Sequence, residues 1–210
     1  MRGKIYIAYG SNMDFPQMEA RCPDAEFLGA GMLQNWRLMF KGSLTGSYAT
    51  IEKEKGLDVP VLLWRISAAD EKRLDRYEGF PVFYYKKTIT VADVAAVNAA
   101  WAPKNSKCKG MVYIMHEKRT LGLPYRCYYD VLAKAYRLFG FDMAILEEAL
   151  RYSNFEGEFG DENDCDKMEE DDDDGESRTG RIRGDGRGPQ IRREGAGGRM
   201  RKVRVPRGGL

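Results

Sequence analysis

Histidine is nearly absent from this chain of 210 residues, His116 being the only one. The four cysteines, Cys22, Cys108, Cys127 and Cys165, form no CxxC pair. A structural zinc site gathers about four nitrogen, sulfur or oxygen ligands, so this supply argues against one. It also argues against a Cys–His nucleophile pair. No apolar run approaches the roughly 20 residues that span a bilayer. Met1-Arg2-Gly3-Lys4 leads straight into a strand pattern with no apolar leader core. The expectation is a cytoplasmic chain without signal peptide or membrane helix, its thiols reduced. Gly29-Ala30-Gly31 lacks the further glycine and following helix of a nucleotide-binding fingerprint.

What is present divides in two. Hydrophobic residues make up 43% of the chain and aromatics 11%, and a stretch of roughly 150 residues suffices for one sizeable core. Residues 1–155 carry that apolar content and read as the folded domain. Residues 156–210 do not. The formal net charge of +2 conceals a segregation there. Residues 156–177 hold 13 acidic residues against Lys167, and 178–210 hold 11 basic residues against Asp185 and Glu194. Neither block has the large apolar side chains that offset ordering entropy, so the reading is a disordered tail, acidic and then Gly/Arg-rich.

Within 1–155, strands and helices alternate without a regular βαβ repeat. Lys4–Tyr9 reads as a strand, and Asp14 as the N-cap of a short helix with Pro16 near its start. Leu38–Phe40 and Tyr48–Ile51 read as short strands, and Val59–Ile66 as a buried one interrupted only by Pro60. Ser67 caps a helix over Ala68–Tyr77, with Asp70 and Glu71 in its first turn. Phe83–Val91 and Lys109–Met115 are β-rich, and two amphipathic helices, Pro124–Phe139 and Phe141–Tyr152, flank Gly140. This pattern predicts an α+β domain built on a mostly antiparallel, barrel-like sheet.

Two segments could carry chemistry. Tyr9-Gly10-Ser11-Asn12 follows the apolar run Ile5-Tyr6-Ile7-Ala8. A strand that stops at such a turn leaves backbone N–H groups converging where an anion or oxyanion could sit. Read alone, Gly, Ser and Asn favour a plain strand-to-loop turn, and what argues for a site is the position directly after a central strand. Glu78 ends the Ser67-capped helix in Leu74-Asp75-Arg76-Tyr77-Glu78-Gly79. Phe80, Phe83, Tyr84 and Tyr85 would crowd it with aromatic surface, and lost hydration raises a carboxyl pKa toward the range of general acid–base catalysis. The bland alternative is a solvated acid at a helix end. Tyr113 on a strand and Tyr128 at a helix start are pocket or core residues, each needing a partner for its hydroxyl. His116 reads as a strand-end surface residue.

These pieces together resemble the γ-glutamylcyclotransferase-like family, also called AIG2-like or BtrG-like. The resemblance rests on Tyr6-Ile7-Ala8-Tyr9-Gly10-Ser11-Asn12, Ala49-Thr50-Ile51 and Leu74 to Gly79 with the following Tyr84, Tyr85 and Lys86. Val112-Tyr113-Ile114-Met115 and Pro124 through Tyr128 complete it. It implies a small mixed, mostly antiparallel β-barrel flanked by helices, with a cavity at one end. It also implies an enzyme that cyclises γ-glutamyl amines or γ-glutamyl amino acids to 5-oxoproline, with no metal or organic cofactor. Glu78 would be the general acid/base. Tyr6, Ile7, Ala8, Tyr9, Gly10, Ser11 and Asn12 would bind the substrate, with Tyr113 and Tyr128 closing the pocket. Two positions depart from the family's habit: Tyr125 stands where a serine-bearing stretch is common, and Ala135 where a glycine is common.

The alternative is a non-catalytic module of the same fold that binds a small carboxylate. The small-molecule γ-glutamyl compound is the expected partner. Membrane contact is not expected, and any contact with nucleic acid would belong to the arginines of the tail. The leaving group and the oligomeric state have no signal in the sequence. The tail has two possible origins, a natural appendage or out-of-frame translation past an end near Tyr152–Asn154.

Overall fold

The structure, a computed structural model, describes residues 3–43 and 46–154. The tail and Cys165 lie outside them. Five strands close into a barrel in the order β1-β3-β2-β4-β5. They are β1 (Lys4–Ala8), β2 (Glu26–Ser43), β3 (Gly46–Ile66), β4 (Tyr84–Ala96) and β5 (Cys108–Met115). All neighbours are antiparallel except β1 and β5, which close the barrel in parallel at Tyr6 and Met111. Among the described residues four α-helices accompany it: α1 (Phe15–Arg21), α2 (Ala68–Tyr77), α3 (Arg126–Phe139) and α4 (Met143–Ser153). Among the described residues no helix is long and apolar enough to cross a membrane.

The short strands expected at Leu38–Phe40, Tyr48–Ile51 and Val59–Ile66 are parts of one long hairpin, β2 with β3. The first break is the passage from β2 to β3, and the second is an irregularity inside β3. Gln34 pairs with Asp58 and Trp36 with Lys53, so β3 makes an excursion while β2 advances by Asn35 alone. Asn35 stands at φ +61, its N–H donates to Asp58 at 2.9 Å, and its side-chain oxygen accepts from the Gly56 N–H at 3.1 Å. Bulges of this kind bend and twist a strand, which lets a long hairpin wrap into a barrel.

Local chemistry sets the helices. Ser67 and Asp70 form a capping box on α2, each side chain accepting from the other's N–H at 3.0 Å. Asp14 stands at the N-cap of α1 without capping it through its side chain. Its carboxylate pairs instead with Lys134 of α3 at 2.7 Å. Gly140 ends α3 at φ +68. The Ser153 hydroxyl of α4 accepts from the buried Phe40 N–H at 2.7 Å, which fixes that helix on β2. Cys22 and Cys108 are free thiols.

Gly29 sits at the first irregularity of β2, at φ +149, where a Cβ would run into the Ala95 carbonyl oxygen of β4. Gly29→Ala should therefore destabilise the barrel by about 3 kcal/mol. Ser67→Ala, which removes one cap, should cost about 1 kcal/mol. Urea denaturation of both variants checks the ranking.

Candidate active site

The site begins where β1 leaves the sheet. After Ala8 the chain passes through Tyr9 and Gly10, and Ser11–Met13 wind into a single 3₁₀ turn. Met13 N–H bonds the Gly10 carbonyl and Asp14 N–H the Ser11 carbonyl, both at 2.9 Å. The first N–H groups of such a turn have no partner within it. Gly10 lies against α3: a Cβ there would stand 3.2 Å from the Tyr128 hydroxyl. A larger residue would push the turn off that hydroxyl.

Glu78 approaches from the other side. The capped start of α2 sets the helix, Glu78 follows its last residue in αR conformation, and Gly79 at φ +61 turns the chain away. The carboxyl enters a small, partly open cavity. The walls are Tyr6, Ile7, Tyr9, Gly10, Ser11, Asn12, Ala49, Tyr84, Tyr113 and Tyr128. Among the described residues the carboxyl receives one hydrogen bond, from Asn12 Nδ2 at 3.1 Å. Burial dominates its chemistry and pushes its pKa up to about 7 from 4.5, while the Arg21 charge and the Asn12 bond pull the other way. Near neutrality such a group both takes and returns protons.

The tyrosines divide by what their hydroxyls do. Tyr9 donates to the Tyr113 carbonyl at 2.7 Å, Tyr84 to the Ala49 carbonyl at 3.1 Å, and Tyr113 to Asp75 at 2.6 Å. Those three hold the frame. Tyr6 instead accepts from Asn12 Nδ2 at 2.8 Å, and Tyr128 accepts from the Ala49 N–H at 3.2 Å. An accepting phenol keeps its own proton to donate. Burial raises the pKa of all five above the ordinary tyrosine value, so they stay neutral.

Arg21, the last residue of α1, completes the arrangement. Its Nη1 donates to Asn12 Oδ1 at 2.8 Å and to Ser11 Oγ at 3.1 Å, while the guanidinium lies 3.7 Å from the Tyr77 ring centroid. Asn12, buried at 3% exposure, thus has both ends of its amide engaged.

Of the residues singled out in the sequence, Tyr6, Ile7, Tyr9, Gly10, Ser11, Asn12, Glu78, Tyr113 and Tyr128 meet at this cavity. Ala8 is buried in β1 and does not line it. The aromatic crowd expected around Glu78 is composed differently. Only Tyr84 of that group lines the cavity; Phe80 is 39% exposed, Phe83 packs on Tyr84 and Tyr48, and Tyr85 donates to Glu117. The other rings around the acid come from β1 and the turn after it, β5 and α3. Arg21 and Ala49 were not among the expected site residues. Ala49 lies in one of the matched segments, whereas nothing local marks Arg21. Tyr125 and Ala135, the two departures, fall elsewhere: Tyr125 at the start of α3 against Gly46, and Ala135 in the core. His116 follows β5, its Nε2 2.9 Å from the Pro81 carbonyl oxygen.

Comparison with known proteins places the fold in a family. The family model described as gamma-glutamyl cyclotransferase, AIG2-like, matches residues 6–130. A human protein named gamma-glutamylcyclotransferase is 28% identical over 140 residues, covering 58% of this chain and 74% of its own. A bovine protein of the same name is 27% identical over the same shares. A solved structure named gamma-glutamyl cyclotransferase superposes with a TM-score of 0.60 over 80% of this chain and 99% of its own; at 22% identity this is a likeness of fold.

The raised pKa of Glu78 has a consequence for stability. Between pH 4.5 and about 7 the folded chain holds a proton there that the unfolded chain has lost. Stability is therefore fully present below pH 4.5 and falls as pH rises through the folded value. The full shift corresponds to roughly 3 kcal/mol, and the open cavity screens it to about 2 kcal/mol. Glu78→Gln should lack this loss, so chemical denaturation from pH 5 to 8 should show the variant gaining on the wild type as pH rises.

Proposed function

The chain belongs to the gamma-glutamyl cyclotransferase, AIG2-like family, and on that premise we propose that it cyclises γ-glutamyl compounds to 5-oxoproline, releasing the attached amine. The observation that carries this reading is Glu78: one carboxyl with a pKa of about 7, set in a tyrosine-walled cavity against the turn that ends β1.

The reaction is intramolecular, so a cavity that holds the substrate folded supplies much of the rate. The substrate's α-ammonium gives a proton to the Glu78 carboxylate. The freed nitrogen attacks the γ-carbonyl carbon, and the new C–N bond leaves a tetrahedral oxyanion. Collapse breaks the bond to the leaving nitrogen, which takes its proton from Glu78. Of the three ammonium protons, one stays on the ring nitrogen and two end on the released amine, carried by Glu78 one at a time. The backbone from Tyr6 to Ser11 is assigned to the α-carboxylate and the oxyanion. The free hydroxyl protons of Tyr6 and Tyr128 fit the same anionic groups. The leaving group, whether amino acid, peptide or amine, stays open.

Cytoplasmic placement belongs to the same reading and rests on the free thiols of Cys22 and Cys108.

The test is release of 5-oxoproline by the full chain from γ-glutamyl-alanine, glutathione, γ-glutamyl-ε-lysine and a γ-glutamyl amine. At least one should turn over, and Glu78→Gln should lower kcat by about 10²–10⁴ while remaining folded. For the wild type, kcat/KM should rise with pH and level off above about 7, the value at which Glu78 becomes a base. Silence across the panel, or an undiminished variant, overturns the reading. Tight γ-glutamyl binding without turnover in both proteins would favour the carboxylate-binding module.

A further inference from the structure

The Asn12 side chain donates from one nitrogen to both Glu78 and Tyr6, and its oxygen accepts from Arg21. An amide turned the other way would point its oxygen at the carboxyl and repel the charged form. Nothing in Asn12 itself selects between the two. The selection comes from Arg21, which has only donors and so accepts only the oxygen. Arg21 is itself held at two further points, Ser11 Oγ and the face of Tyr77. Tyr77 immediately precedes Glu78 in the chain. The guanidinium therefore ties the end of α1, the turn after β1 and the end of α2 into one unit.

We propose that Arg21 is a positioning residue for Glu78: by clamping the Asn12 amide in its donating orientation, it sets the pH at which the carboxyl works as a base. This rests on the cyclotransferase reading for its catalytic meaning, but the clamp is a property of the free protein. Arg21 makes its contact through Asn12, and its charge also favours ionised Glu78 from a distance. The other titratable groups acting around the carboxyl do not compete. Tyr6 and Tyr9 from β1 and its turn, Tyr84 from β4, Tyr113 from β5 and Tyr128 from α3 are neutral, their pKa values raised by burial. Cys22, beside Arg21, is pushed up to about 12 and is neutral as well. Asp75, on Glu78's own helix, is engaged by Lys86 and Tyr113, each at 2.6 Å.

The experiment follows Glu78 directly. In full-length protein with ¹³C-labelled glutamate carboxyls, the Glu78 resonance is assigned by its loss in Glu78→Gln and titrated without substrate. Arg21→Met should move its midpoint up by about one pH unit, the scale of one nearby charge and donor. Arg21→Lys keeps the charge but cannot fork between Ser11 and Asn12, so it should move the midpoint in the same direction by less. The acid limb of kcat/KM should shift with each midpoint, with kcat recovering at high pH. A residue serving only the fold would lower activity at all pH values alike. An Arg21→Met midpoint equal to that of the wild type overturns the proposal. If that variant does not fold, an unmoved midpoint in Arg21→Lys overturns the clamp. Should no γ-glutamyl compound turn over, the midpoint still decides the role of Arg21, so the two readings fail separately.

Discussion

A carboxyl at the C-terminal end of a helix is opposed twice. The helix dipole presents its negative end there, and aromatic walls remove hydration. Glu78 stands in that position, and the surrounding architecture follows from the need to hold it there. The capping box at Ser67 fixes where α2 begins, and Gly79 fixes how the chain departs. Closure of β1 on β5 brings the turn at Gly10 to the same end of the barrel. Without these three constraints the side chain would swing to solvent and revert to an ordinary acid.

The cavity also shows how polar groups are kept from competing for that acid. Tyrosine hydroxyls are a hazard beside a working carboxyl, because each could satisfy it and lower its pKa. Three of the five are spent on fixed acceptors: two backbone carbonyls and Asp75. Asp75 is in turn balanced by Lys86, which also meets Glu71 at 2.8 Å. A second polar network thus runs behind the cavity wall and holds the Tyr113 phenol away from Glu78. The two phenols that accept hydrogen bonds, Tyr6 and Tyr128, keep their protons for a ligand.

Features that depend on near neighbours in sequence were legible there: the α2 cap, the helix break at Gly140, and the turn after β1. Features that depend on a partner strand were not. The stretch of β3 opposite Asn35 looked like a gap between two strands, because a lone strand does not show that its partner continues past the irregularity. The site divides in the same way. Glu78 and the Tyr9–Asn12 turn were visible as motifs. The rings that desolvate Glu78 were sought among its chain neighbours, yet most come from β1, β5 and α3. Arg21 was not visible, since its meaning comes from the angle at which α1 meets α2. Its side chain can lie across Tyr77 only when both helices are in place.

Reactivity and stability oppose each other at this one residue, and the number of polar contacts decides the balance. A carboxylate that accepts two or three direct hydrogen bonds, or pairs directly with arginine, falls well below neutral pKa and cannot take a proton from an ammonium group. One with no contacts stays protonated and cannot begin. Among the described residues Glu78 has one direct hydrogen bond, from a neutral amide, and the positive charge stands behind that amide. Placing Arg21 second in line gives a partial correction to the cost of burial, large enough to bring the carboxyl to about 7 and too small to take it back to 4.5. The same indirectness explains why the amide must be held. A relay that works through one hydrogen bond has no redundancy, so its orientation has to be imposed from outside.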